Sequence, residues 1–388
     1  MIYTNKPNMR EELSDVELWQ KSEDERLKYE GYCNKIRKGL EDLDRKSGER
    51  AIWELVQNAR DLSNEARIKI ELTEKNIVFS HHGKPFDYTS FCSLVKQDSS
   101  KDRTESDLVG QYGTGFMTTH VFNRLVHINA PFVVKNEKGI KGYVQIKNFE
   151  LDRTLVDTAE GPSSMREQLE KVNQFWKGEL LKDINDDTTS FHYDLTPSQV
   201  NEVSAQLSSA IRLMPFVLVI NSRLKEIKIH NHVTNEHISL KRIEKQDRRP
   251  LERIGWQVVT EDVLFINHVT NEISERFTCK SLQSDKGDIV IIPPFPSLCG
   301  SPTDIPSLFL WFPLLGTEAF GINFIFHSKR FYPVEKRNNI MLPGVTIMQQ
   351  EKGEKNSAVL KEMSEVVFSY FARTENTRIF YHDQVLPH

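Results

Sequence analysis

Glu54-Leu-Val-Gln-Asn58-Ala-Arg-Asp61 is answered further along the chain by Gly110-Gln-Tyr-Gly113-Thr-Gly115-Phe116. On a helix, Glu54, Asn58 and Asp61 stand at i, i+4 and i+7 and form a narrow polar stripe. Ile52, Leu55, Val56, Ala59 and Leu62 form an apolar stripe on roughly the opposite side. One face can therefore pack on a sheet while the other presents a carboxylate, an amide and a second carboxylate. A carboxylate beside a bound phosphate can take a proton from attacking water. A side-chain amide oxygen suits Mg²⁺, a hard cation. The glycines of the second stretch allow close backbone approach, and N–H groups at a helix N-terminus bind phosphate. Alone, the first stretch reads as a solvated helix face and the second as a plain loop. Paired in this order, they read as a site for a magnesium-bound phosphate ligand. The second stretch is not a Walker A loop, because no Gly-Lys-Ser/Thr follows it. Nor is it a Rossmann fingerprint, since a long polar segment precedes it instead of a strand.

Around this pair the patterns alternate between helix and strand. Residues 8–45 carry Leu13, Val16, Leu18, Trp19, Leu27 and Tyr29 at helical intervals, which predicts one or two amphipathic helices. They either pack on the domain or form an arm to a second subunit. A helix is predicted from Glu49 to about Ala66, with Ser47 as N-cap. Ile68–Leu72 and Asn76–Ser80 read as a hairpin of two strands, broken by His81-His-Gly-Lys-Pro85. Residues 87–109 are polar and lack a period, which predicts a long mobile loop of the kind that serves as a lid. A helix should follow Gly115, strands are predicted at 125–129, 142–148 and 189–195, and 160–180 read as helix and loop. A helix opens at Pro197 and runs to about Leu213, followed by the apolar run Phe216–Ile220. The alternation predicts an α/β sandwich. From 222 onward the texture is that of short strands, until a helix predicted at about 357–373. The expected organisation is an α/β domain over 1–221 and a β-rich α+β domain with a C-terminal helix over 222–388.

The net charge of −4 does not indicate nucleic-acid binding. No apolar run is long enough to cross a bilayer, and the first residues contain no apolar signal core. The four cysteines are scattered, without a CxxC pair, so neither a zinc site nor a disulfide framework is indicated. A cytoplasmic location fits best.

The octapeptide followed by GQYGTGF resembles the GHKL ATPases, and its second half is closest to the heat-shock chaperone and sacsin-type branches. The resemblance implies a Bergerat fold, an α/β sandwich enclosing ATP and Mg²⁺ under a lid. It implies Glu54 as general base and Asn58 as metal ligand, with Asp61 holding water or nucleotide. It implies Gly110, Gln111, Tyr112, Gly113, Thr114, Gly115 and Phe116 as the phosphate loop, 87–109 as the lid, and Lys101 as a lid residue near the phosphates. The family's Asp-x-Gly-x-Gly, whose Asp binds adenine, aligns here with His81-His82-Gly83-Lys84-Pro85. Gly83 matches the first glycine and His81 replaces the Asp. A neutral His can accept from adenine's amino group or donate to a carbonyl such as guanine's. The family's strand-opening Thr aligns with Thr189, or else Thr188. The second half is similar to the transducer domain of that family, where a basic residue reaches the γ-phosphate. Lys329, Arg330 and Arg337 are the candidates, and Arg337, beside Asn338, is preferred.

The resemblance thus implies a Mg²⁺-dependent ATPase switch with a nucleotide-dependent homodimer and a protein client or partner subunit. The alternative is a nucleotide-binding interaction module with little hydrolysis, in a regulatory, scaffold or defence role. A histidine kinase is disfavoured, since no His-bearing dimerisation helix precedes the motifs. A topoisomerase is disfavoured for want of a cleavage tyrosine with an acidic metal cluster.

Overall fold

Alternating burial along short strands builds one wide sheet in this chain. The computed structural model describes residues 15–43, 47–98, 115–184, 186–243, 247–251, 253–293, 305–320, 324–334 and 337–372. Two helices come first, α1 (Asp15–Glu41) and α2 (Ser47–Asp61). The hairpin β1 (Ala66–Leu72) and β2 (Asn76–His82) follows, then α3 (Tyr88–Lys96) and a 3-10 segment, Gly115–Val121. Next come β3 (Leu125–Asn136), β4 (Gly139–Asp152), α4 (Gly161–Val172), β5 (Thr188–Asp194) and α5 (Pro197–Ile220). The rest is mostly strand: β6 (Leu224–Asn231), β7 (Glu236–Arg242), β8 (Asp247–Pro250), β9 (Trp256–Asn267), β10 (Ile273–Ser284) and β11 (Ile289–Ile292). It closes with β12 (Leu308–Leu310), β13 (Phe312–Pro313), β14 (Ile325–Ser328) and α6 (Ile347–Phe371).

The sheet runs β13-β12-β14-β11-β10-β9-β7-β6-β1-β2-β5-β3-β4, with β8 on β9. Most neighbours are antiparallel. The β1–β6 and β12–β14 pairs are parallel. The chain is therefore a mixed α/β protein, β-rich after residue 222 and with a helix as its last described element, as the patterns imply. On the face toward α2 and α5, Ile68 and Ile70 of β1, Phe79 and His81 of β2, and Phe191 and Tyr193 of β5 are buried. A second apolar cluster lies under α6, where Met363, Val366 and Tyr370 join Leu282, Ile291 and Phe326.

Besides α6, which begins at Ile347 and not near 357, three elements differ from their sequence reading. α2 stops at Asp61, and Ala66 opens β1, where its N–H bonds Arg223 O at 2.7 Å. α5 continues through Pro215 to Ile220. Proline removes one helical hydrogen bond. Burial of every residue from Phe216 to Ile220 offsets it, at about 1.5–3 kcal/mol for each large apolar side chain. Contrary to the sequence reading, α5 is apolar and long enough to span a membrane by composition, yet 72% of its apolar window is buried within the protein. Third, Tyr88–Lys96 is helical, although 87–109 reads as loop. Asp87 caps it by accepting from Ser90 N at 2.8 Å, and Phe91, Cys92 and Val95 are buried. Tyr88, Phe91, Cys92 and Val95 stand at i, i+3, i+4 and i+7, a helical period hidden when 87–109 is read as one polar stretch. The fully buried Arg153 closes the other end, its Nη2 donating to Leu94 O at 3.2 Å and Val95 O at 2.6 Å. Residues 8–14 of the expected arm, 99–109 of the expected lid and 373 of the expected last helix lie outside the described residues.

Candidate functional site

The site grows from α2, which is buried on almost every side. Ala51, Ile52, Leu55, Val56 and Ala59 face the core, but Trp53, Glu54, Gln57 and Arg60 are buried as well. The polar stripe is therefore covered by other parts of the chain.

Glu54 meets the last glycine of the second motif. A Cβ placed on Gly115 would collide with Glu54 Oε2 and stand 2.7 Å from its Cδ. Only a residue without a side chain lets the carboxyl and that backbone approach so closely. Phe116 then packs on Phe191, ring centroids 5.2 Å apart, and Phe191 stacks on His81 at 6.4 Å. The chain folds Glu54, Gly115, Phe116 and His81 into one connected neighbourhood. Gly110, Gln111, Tyr112, Gly113 and Thr114, and Lys101 of the expected lid, lie outside the described residues.

His81 sits on the buried face of β2 and is 1% exposed. Burial lowers its pKa from 6.5 to about 4, so the ring is neutral at neutral pH. Its Nδ1 lies 3.3 Å from His82 O. A carbonyl only accepts, so Nδ1 carries the proton and Nε2 is left as an acceptor. Among the described residues that buried Nε2 has no hydrogen-bond partner. Thr189 stands directly opposite His81 across the β2–β5 pair and is equally buried, whereas Thr188 pairs with His82 on the outer face. Gly83 presses the turn after β2 against the end of α2, where Lys84 N donates to Leu62 O at 3.0 Å. A Cβ on Gly83 would stand 3.0 Å from that same oxygen.

Asn58 lies one turn beyond Glu54 on the same helix and is half-buried. Asp61 is tied elsewhere: Arg60 Nη1 donates to its Oδ1 at 2.9 Å, with both side chains buried. The Arg60 guanidinium lies 4.2 Å from the Trp311 ring centroid, a cation–π contact from α2 to the C-terminal half.

The three basic candidates part company. Lys329 Nζ lies 4.8 Å from the Trp311 centroid. Arg330 is paired with Asp288 at 3.2 Å and Glu362 at 2.6 Å. Arg337 donates from Nη1 to Gln57 Oε1 at 2.7 Å, one turn from Glu54. It adopts a left-handed backbone, φ 49°, which is uncommon for a residue with a side chain. A shallow open cleft is lined by Arg50, Trp53, Glu54 and Gln57 of α2, by Leu310 and Phe312–Leu314, and by Arg337. Sequence reading missed Gln57 and Arg50. Both lie within one turn of Glu54, and that spacing was the signal available.

No family model and no curated protein matches this chain. Among solved structures it is similar to the B-subunit of the DNA gyrase from Myxococcus xanthus, at 4% identity and a TM-score of 0.33 over 86% of this chain and 96% of that one. The chemistry of the site rests on its own residues.

Proposed function

We propose that this chain binds ATP with Mg²⁺ and hydrolyses it, the nucleotide acting as a conformational switch. The observation that carries the reading is the Glu54 carboxyl packed on Gly115, with Arg337 in the same cleft. Glu54 and a guanidinium from the second half of the chain line that cleft, and Gly115 stands against the same carboxyl, which supports the reading. The motif resemblance supports the same assignment.

In this reading Glu54 accepts the proton of attacking water. The N–H groups of the glycine loop hold the phosphates and the charge that develops on them. Asn58 would ligate Mg²⁺, which when bound neutralises phosphate charge. Arg337 leaves Gln57 for the γ-phosphate, to which its planar fork is suited. His81 fits the adenine base. Its bare Nε2 is an orphaned buried acceptor, and adenine's exocyclic amino group is a donor. Guanine offers a carbonyl at that place and would leave Nε2 unsatisfied, at a cost of about 1–3 kcal/mol. The same switch would bring two copies together. Leu18, Trp19 and Leu27, all more than half exposed on α1, offer apolar surface for that contact.

The experiment is phosphate release from ATP by the purified chain with magnesium, beside calorimetry with ATP and GTP. The expected result is slow hydrolysis, lost in Glu54→Ala, and tighter binding of ATP than GTP. Elution of the same samples with a non-hydrolysable analogue reads the dimer. Tight binding without turnover would overturn the enzyme reading and favour a nucleotide-binding module. Absence of nucleotide binding would overturn both.

A further inference from the structure

Four of the chain's 12 histidines gather where β6, β7 and β9 meet, away from the nucleotide site. His230 of β6 stands directly opposite His237 of β7, and His268, just past β9, donates its N–H to His237 O at 2.9 Å. Ring centroids are 5.5 Å apart for His230 and His237 and 5.1 Å for His230 and His268. His232 lies 5.0 Å from His237 on the other side.

We propose that His230 and His268, with His237 as third ligand, bind a divalent transition-metal ion of the zinc, nickel and copper group. Imidazole nitrogen is the donor these ions favour. A metal about 2.0–2.1 Å from each nitrogen leaves two tetrahedrally placed rings with centroids about 5 Å apart, which is the spacing here. The Nε2 atoms of His230 and His268 are both shielded from solvent and lack a hydrogen-bond partner among the described residues. Two neighbouring rings with unspent nitrogens are unusual, because buried polar atoms are normally satisfied. A shared ion would satisfy both.

The charges nearby are mixed. Lys69 and Lys228 lie within electrostatic reach of the rings and disfavour positive charge there. Each is offset only in part by a carboxylate: Lys69 Nζ is 2.6 Å from Glu71 and Lys228 Nζ is 3.8 Å from Glu226. Ligation by the imidazole nitrogens must outweigh the remainder. His232 is spent on Glu71, at 3.4 Å from its Nε2, and serves as a neighbour of the site. Among the described residues no three His, Cys, Asp or Glu side chains already surround one metal-sized point. The third ligand therefore joins by rotation of His237, which is half-buried on its strand.

The test is calorimetry of the untagged full chain with NiCl2 in excess magnesium, which fills oxygen sites and spares imidazole. About one Ni²⁺ per chain is expected, in the micromolar range. Affinity should fall at least about tenfold in His230→Gln and in His268→Gln, since losing a ligand costs no less than losing its outer partner. His82→Gln, an exposed residue paired with Asp187, should leave it unchanged. Electron paramagnetic resonance of the unmutated chain with Cu²⁺ gives a reading that does not depend on the variants folding, and should show two or three nitrogen ligands. Binding weaker than about millimolar, binding equally tight in both variants, or copper without nitrogen coupling would each overturn the proposal.

Discussion

Gly115→Ala isolates the contact on which the catalytic reading depends. The new Cβ would stand 2.7 Å from Glu54 Cδ. Carbon atoms settle at about 3.5–4.0 Å, so the carboxyl must retreat by about 1 Å. No left-handed φ constrains Gly115, so the backbone itself tolerates alanine. The atoms met belong to the far end of a side chain that can turn, and the fold should lose no more than about 1 kcal/mol. Catalysis is more exacting. A displacement of about 1 Å in a reacting group can cost about 10²-fold, equivalent to about 2.7 kcal/mol on the barrier. The expected outcome is a hundredfold fall in the rate of phosphate release, with a nearly unchanged denaturant midpoint and retained ATP binding. In a Glu54→Ala background the same substitution should do nothing further, because there is no carboxyl left to displace. Single-turnover phosphate release and urea unfolding of the four proteins complete the cycle. A Gly115→Ala chain that turns over within about twofold of the parent would refute Glu54 as the base held by this contact.

Two further outcomes are expected. Arg337→Lys keeps the charge but loses the fork, so hydrolysis should fall by about 10²-fold while ATP affinity changes little; equal losses in both would make Arg337 a binding residue only. Acid should destabilise the fold through buried histidines. Burial lowers His81 to about 4, and His120 and His327 to about 3. Below about pH 6.5 the unfolded chain takes protons that the native one refuses, so stability falls with pH until the native pKa is reached. Each such histidine contributes about 1.4 kcal/mol per pH unit. His81→Gln should remove one histidine's share of that slope between about pH 6 and 4, read from urea midpoints; an unchanged slope would mean that His81 is not held neutral.

How much could be read in advance depended on the range of the interaction. α2, the hairpin, β5 and the start of α5 follow from periods of a few residues and from local signals such as Pro197 in the first turn of α5. α3 carries a helical period in Tyr88, Phe91, Cys92 and Val95 that the polar residues dominating 87–109 obscure, and its end is closed by Arg153, a long way off in sequence. The continuation of α5 past Pro215 was illegible because proline's local cost is visible in sequence and the burial that offsets it is not. Within the site, the types and order of Glu54, Asn58, His81, Gly115 and Arg337 were legible. The choice between Thr189 and Thr188 required the register of β2 on β5.

The sequence by itself determined the α/β class, the polar stripe on α2 and the glycine-rich answer to it, since both depend only on residue type and local spacing. The tertiary structure decided which partners those residues meet. It placed Gly115 against Glu54, set Arg337 rather than Lys329 or Arg330 on Gln57, and bound Asp61 to Arg60. It also assigned the proton of His81 to Nδ1, through a carbonyl that fixes which nitrogen remains an acceptor. The histidine patch belongs to the same class, assembled from three strands by pairing register. Apart from the adjacent pairs Arg60–Asp61 and His81–His82, these contacts join residues far apart along the chain. No local period records them, because they are chosen by how the sheet and helices pack.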